Sequence, residues 1–194
     1  MTQKTHRINR RTFIKAAGAV GAAAALPLGL TGCTPVAAPA DGPIKIGVLL
    51  PYSDIYAVLG DSITDSMQMY LESVGNEAGG RSIELITEDT EISPDVGAQK
   101  ARKLIEQDGV DMIAGIVSSG VLMSLRDYFD EMQKLVVVAN AGANPISRGA
   151  KSKYIWRASF TNWMAPAAMG GWAFDNVGKK AMISVPDYAA GENN

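Results

Sequence analysis

Ile44-Lys45-Ile46-Gly47-Val48-Leu49-Leu50 is a continuous apolar strand broken only by Lys45 and Gly47, and the pattern that follows it sets the fold. Residues 61–74 carry Ile63, Met67, Tyr70, Leu71 and Val74 at helical spacing. Residues 82–88 form a second strand. Ser93-Pro94-Asp95 then opens a helix, with serine as the cap, proline in the first turn, and Val96, Ala101, Leu104 and Ile105 as its inward stripe. Residues 110–116 are the third strand. Residues 119–132 form a helix with Leu122, Leu125, Tyr128, Phe129 and Met132 facing inward, followed by a fourth strand over 135–139.

Strand and helix therefore alternate. Strands this uniformly apolar are covered on both faces, and the alternation calls for right-handed crossovers and a parallel sheet. The expected class is α/β with a doubly wound parallel sheet, the first lobe complete and the second only begun. In such sheets ligands sit beyond the carboxyl ends of the strands, in the loops that lead into helices. Residues 154–159 read as another short strand, Asn162 as the cap of a helix containing Met164, Ala168, Trp172 and Val177, and residues 180–185 as a further strand. These open a second unit that, on this reading, lacks the strands to close its sheet. Half a cleft leaves a ligand partly solvated, so weak binding or none is expected of the 194-residue polypeptide by itself.

Ahead of the strand, Asn9-Arg10-Arg11-Thr12-Phe13-Ile14-Lys15 precedes an alanine-rich run over 16–30, which ends in Leu30-Thr31-Gly32-Cys33. About 15 weakly apolar residues are too few to span a bilayer core of roughly 30 Å. The segment reads as a cleaved export address. Its start resembles a twin-arginine signal, and its end resembles a lipoprotein box whose cysteine becomes the acylated first residue. The division expected is a leader over 1–32, acylated Cys33 with a proline-bearing tether over 33–43, an N-terminal lobe over 44–160, and the start of a second lobe over 161–194. The mature protein would be exported and lipid-anchored in the periplasm or at the cell surface.

Removing that leader takes five of the 18 basic residues and no acid, leaving 13 against 20 acidic residues and a formal net charge of −7. So acidic a chain has no basic footprint for nucleic acid. The only histidine, His6, leaves with the leader, and Cys33 is taken up by lipid. That removes Ser-His-Asp and Cys-His nucleophile systems and zinc sites of cysteine and histidine, and it favours a binding protein over an enzyme. Glu88, Asp89 and Glu91 cluster after the second strand without calcium-loop spacing, and they read as a solvated turn with no metal. Trp156, Trp163 and Trp172 read as buried anchors, and 151–153 as a surface turn.

Five landmarks occur in order: Ile44 to Pro51, Gly60-Asp61, Gly115 to Ser119, Ala141-Gly142-Ala143-Asn144-Pro145, and Asp187-Tyr188-Ala189-Ala190-Gly191. In that order, across 44–191, they resemble the leucine/isoleucine/valine-binding family of extracytoplasmic solute receptors, which serve ABC importers. The resemblance implies two α/β lobes closing over a cleft, a permease as partner, no cofactor, and a ligand drawn from branched-chain amino acids, short amides, urea or aromatic acids. It also implies that Ser119 receives a ligand carboxylate. The physics of a helix N-terminus agrees, with Ser118 and Ser119 equally suited to plain capping.

On the same resemblance, Ala141 offers a carbonyl to a ligand ammonium and Ala143 an N–H to a carboxylate, with Gly142 between them. Ala143 departs from the family's usual threonine and weakens the amino acid reading; the loop also reads simply as a flexible turn. Leu59 and Ala190 stand where amino acid receptors often carry aromatic side chains, and Tyr188 lies beside the second position. With that room made, Tyr52 and Tyr56 are expected either to face an aromatic carboxylate or merely to cover the end of the sheet. Two rivals remain. A sensing domain of a signalling receptor would need a membrane-spanning helix and output domain downstream, and a hydrolase would need convergent carboxylates, for which only Asp54 and Asp89 offer themselves.

Overall fold

The computed structural model describes residues 42–187 and 189–192. The leader, Cys33, most of the tether and Tyr188 lie outside the described residues. Six strands form one sheet: β1 (Ile44–Leu50), β2 (Glu77–Ala78), β3 (Arg81–Asp89), β4 (Met112–Gly115), β5 (Leu135–Val138) and β6 (Ile155–Arg157). Their spatial order is β2-β3-β1-β4-β5-β6. All pairings are parallel except the two-residue edge strand β2, which runs antiparallel to β3. Because β1 lies between β3 and β4, the chain reverses its direction of travel across the sheet there. A crevice therefore opens beyond the carboxyl ends of β1 and β4, where connections leave towards opposite edges.

The helices are α1 (Ala57–Ser73), α2 (Pro94–Arg102), α3 (Ser119–Glu131), α4 (Met164–Asn176) and the single turn α5 (Ala189–Glu192); α2 runs on into a π-helical turn, Lys103–Gln107. Ser93 caps α2, its hydroxyl accepting from Val96 N at 3.4 Å, with Pro94 in the first turn. On one face of the sheet Leu49, Ile113, Val136 and Val138 meet Ala101, Leu104, Val121, Leu122, Leu125 and Phe129, and these form the core. Alternation sends Ile46, Leu85, Met112, Ala114 and Val137 to the other face. There Met67, Tyr70 and Leu71 of α1 border an apolar groove of about 390 Å³. The two faces are thus unequally filled, and Tyr70 is 66% exposed.

Several expectations need correction. Residues 180–185 are not a strand: they are exposed and have no partner strand among the described residues, and an extended segment without a ladder has nothing to fix its backbone groups. Asn162 does not cap α4, whose N-cap position is Trp163; its amide is spent on other contacts. No residue of α4 is buried, and Trp156, Trp163 and Trp172 are all exposed, so none is a core anchor. Met132 is also exposed, lying beyond the last turn of α3. Glu88 is no solvated turn residue: it bridges Lys100 and Lys103 at 2.7 Å each, tying β3 to α2. Burial opposes its ionisation, but those two ammonium groups outweigh it and hold the carboxyl below its ordinary range.

Gly60 shows why α1 begins where it does. A Cβ there would collide with the Pro51 carbonyl, so only glycine lets the first turn of α1 lie against the end of β1. Gly60→Ala is therefore expected to lower stability by about 1–3 kcal/mol, read as a reduced urea midpoint at unchanged slope.

Candidate functional site

β4 ends at Gly115, whose φ is +119°, and Ile116 follows at +63°. A side chain at Gly115 would press on the Leu49 carbonyl and the Leu50 side chain. Ile116 is a β-branched residue in the left-handed region, a conformation held only where its surroundings demand it. Its N–H donates to Leu49 O at 2.8 Å and its carbonyl accepts from Ala141 N at 3.0 Å, so the turn is fixed to the strand on either side. The chain then leaves the sheet and enters α3 with the helix N-terminus facing the crevice.

Ser118 and Ser119 divide the work at that terminus. The Ser118 hydroxyl accepts from Val121 N at 3.4 Å and its carbonyl from Leu122 N at 3.0 Å, which makes it the cap. Ser119 is 3% exposed, borders the cleft, and its hydroxyl makes no hydrogen bond among the described residues. The first amides of a helix have no intrahelical acceptor, and the helix dipole adds positive potential there. The arrangement suits a small anion.

The cleft has a volume of about 120 Å³. Every connection beyond the parallel strands contributes to it: Tyr56 and Leu59 after β1, Ile92 after β3, Val117 to Ser119 after β4, Asn140 and Gly142 after β5, Phe160 and Asn162 after β6. Ala190 of α5 completes the lining. Asn162 fastens one side, its backbone N–H donating to Gly142 O at 2.8 Å and its side-chain amide to Ala190 O at 3.1 Å. A Cβ at Gly142 would collide with the Asn162 side chain, so glycine is required for that approach.

Of the residues singled out in the sequence, Ser118, Ser119, Gly142, Tyr56 and Leu59 come together around this cleft. Tyr52 does not: its hydroxyl donates to Thr64 Oγ1 at 2.6 Å, and Thr64 in turn donates to Gly60 O at 2.9 Å. With its phenol held against α1, Tyr52 covers the end of the sheet, and partial burial raises its pKa. Ala141 and Ala143 are buried behind the lining, and their carbonyls accept from the Arg157 guanidinium, Ala143 O at 2.7 Å. Arg157 also donates to Phe160 O at 3.2 Å, and burial lowers its pKa. Tyr188 is outside the described residues.

Phe160, Ile92, Asn140 and Arg157 were missed. Phe160 was findable, since it follows β6 as Ser119 follows β4; Arg157 carried no signal beyond ending a strand. Asp54 and Asp89 do not converge on the cleft as a catalytic pair, because neither lines it. Asp89 instead braces two loops, its Oδ1 accepting from Tyr52 N at 2.9 Å and Glu91 N at 2.8 Å. Among the described residues no group of three or more His, Cys, Asp or Glu is placed to hold a metal ion.

A mostly parallel open sheet with a cleft at its switch point, floored by a helix N-terminus, is the arrangement in which α/β folds commonly hold small ligands. Residues 43–194 match the periplasmic binding protein family, and residues 7–27 match the twin-arginine translocation signal. The chain therefore belongs to the periplasmic binding protein family, and its leader directs export to the periplasm. It is 38% identical to a solute-binding protein of an ABC transporter from R. palustris solved in complex with benzoate; the TM-score is 0.74, with 78% of this chain and 42% of that one covered. A second R. palustris solute-binding protein, solved with 4-hydroxybenzoate, is 30% identical with a TM-score of 0.72, over 77% of this chain and 40% of that one. The Leu/Ile/Val-binding protein homolog 6 of Brucella abortus (strain 2308) is 30% identical over 149 residues, 76% of this chain and 38% of that protein. The chain thus spans about two fifths of the length of these relatives.

The Asp89 brace has a pH signature. Partial burial opposes ionisation, but the Tyr52 and Glu91 amides outweigh it and keep the folded carboxyl below its usual value of 3.8. A depressed folded pKa contributes stability above the unfolded value and loses it as pH falls through the folded one. Between pH 5 and pH 2 the wild type is expected to lose urea stability more steeply than Asp89→Asn, which has no proton to take up there.

Proposed function

We propose that this protein is the solute receptor of an ABC importer, that it captures an aromatic carboxylate of the benzoate class in the cleft, and that it catalyses no reaction. The observation that carries this reading is Ser119, whose cleft-lining hydroxyl has no hydrogen-bond partner among the described residues and stands in the first turn of α3, where the helix dipole favours an anion. A carboxylate would take those donors, while Tyr56, Leu59 and Phe160 give a ring apolar surface. The amino acid alternative loses support at the loop after β5. The Ala141 carbonyl, which an α-ammonium group would use, is buried and already accepts from Arg157. The benzoate and 4-hydroxybenzoate bound by the R. palustris relatives support the same ligand class.

In this reading residues 44–160 are the first lobe and 161–194 open the second. Asn162 and Ala190 bring the second side to the cleft. Ligand shifts the receptor to a closed state that a permease then reads. Cys33, acylated after leader cleavage, tethers the receptor to the membrane through residues 34–43.

Calorimetric titration of a leader-free receptor with both lobes complete tests the assignment. Benzoate is expected to bind more tightly than leucine, and Ser119→Ala to weaken benzoate about tenfold, the loss of one hydrogen bond to a charged group. A receptor that binds leucine and ignores benzoate contradicts it.

A further inference from the structure

Next to the cleft lies a second compartment of about 200 Å³, partly open to solvent and lined by Tyr56, Ile92, Pro94, Ser118 and Gly120. It shares Tyr56, Ile92 and Ser118 with the first cleft, so the two adjoin along those side chains. Their linings differ in kind. The first has Ser119, Asn140 and Asn162 at its walls, whereas the residues peculiar to the second are a proline and a glycine, which bring no side-chain donor or acceptor.

The shared wall is built rather than incidental. Glu91 and Ile92 stand at φ +48° and +55°, and β-branched residues rarely adopt the latter. Asp89 Oδ1 accepts from Glu91 N at 2.8 Å and Thr90 Oγ1 from Ile92 N at 3.4 Å, which fasten the turn. An extended backbone at Ile92 would carry its side chain elsewhere; in this turn it borders both spaces.

Resting on the carboxylate reading above, we propose that the ligand continues past Ile92 into this second compartment. The preferred solute is then an aromatic carboxylate whose ring bears an apolar substituent of two or three carbons, in preference to a bare or hydroxylated benzoate. The carboxylate keeps the Ser119 end, and the substituent fills the space between Pro94 and Gly120.

Gly120 supplies the handle. A Cβ there would lie 3.5 Å from Ser118 Oγ and 3.7 Å from Pro94 Cγ, ordinary contact distances, so the backbone accepts a side chain that would take up part of the compartment. The leader-free receptor with both lobes complete is titrated with benzoate, the three ethylbenzoates and the three hydroxybenzoates. At least one ethyl isomer is expected to bind about tenfold more tightly than benzoate, from burying two more carbons, with no such gain for its hydroxy counterpart. Gly120→Val, and more mildly Gly120→Ala, should cut that ethyl-to-benzoate ratio about fivefold or more.

If benzoate binds and no ethyl isomer gains, the extension is wrong while the carboxylate site stands, and this holds without any variant. If the ethyl advantage survives in a folded Gly120→Val, the compartment is not where the substituent goes. A receptor that binds none of the seven acids overturns the carboxylate reading, and the extension with it.

Discussion

At the end of β4, Gly115 and Ile116 turn the chain at positive φ, and what the cleft can offer an anion depends on that turn. Without it the strand would run on past the sheet, and the first amides of α3 would face solvent or a neighbouring helix. With it, Ile116 is clasped between Leu49 and Ala141, and the helix starts at the one place in the sheet where connections diverge. The strain of a β-branched residue at positive φ is balanced by those two hydrogen bonds and by complete burial of its side chain. Strand order creates the crevice, and this turn aims a helix end into it.

The remaining elements serve that geometry. Gly60 lets α1 sit against the end of β1, so that Tyr56 and Leu59 reach the cleft from one side. Asp89 clamps the loops after β1 and β3 together, and Arg157 draws in the carbonyls of the loop after β5. Neither residue touches the cleft; both decide where the residues that do touch it stand. One consequence is local: the Ala141 and Ala143 carbonyls are buried and turned towards Arg157.

Much of this was legible in the sequence because it depends on local rules. Apolar runs gave the five parallel strands, and Ser93-Pro94 and Ser118-Ser119 marked helix starts by capping chemistry that acts within four residues. The rule that ligands gather beyond strand carboxyl ends pointed to the loops that line the cleft. What stayed hidden depends on partners distant in the chain. Tyr52 reads as an aromatic wall until Thr64 is seen to hold its phenol, and Glu88 reads as solvated until Lys100 and Lys103 close on it. Residues 180–185 have a strand's composition, but a strand also needs a neighbour to pair with, and composition cannot supply one. The tryptophans misled for the same reason, since burial is a property of what packs against them.

The central claim is that the N-terminus of α3 is the carboxylate seat. It is tested most directly by backbone amide chemical shifts of the ¹⁵N-labelled, leader-free receptor during titration with benzoate. The largest movements are expected at the amides of Ser119 and Gly120, with Gly142 and Phe160 following at the same ligand concentrations. Saturable shifts elsewhere, with the amides of 118–120 unmoved, would contradict it.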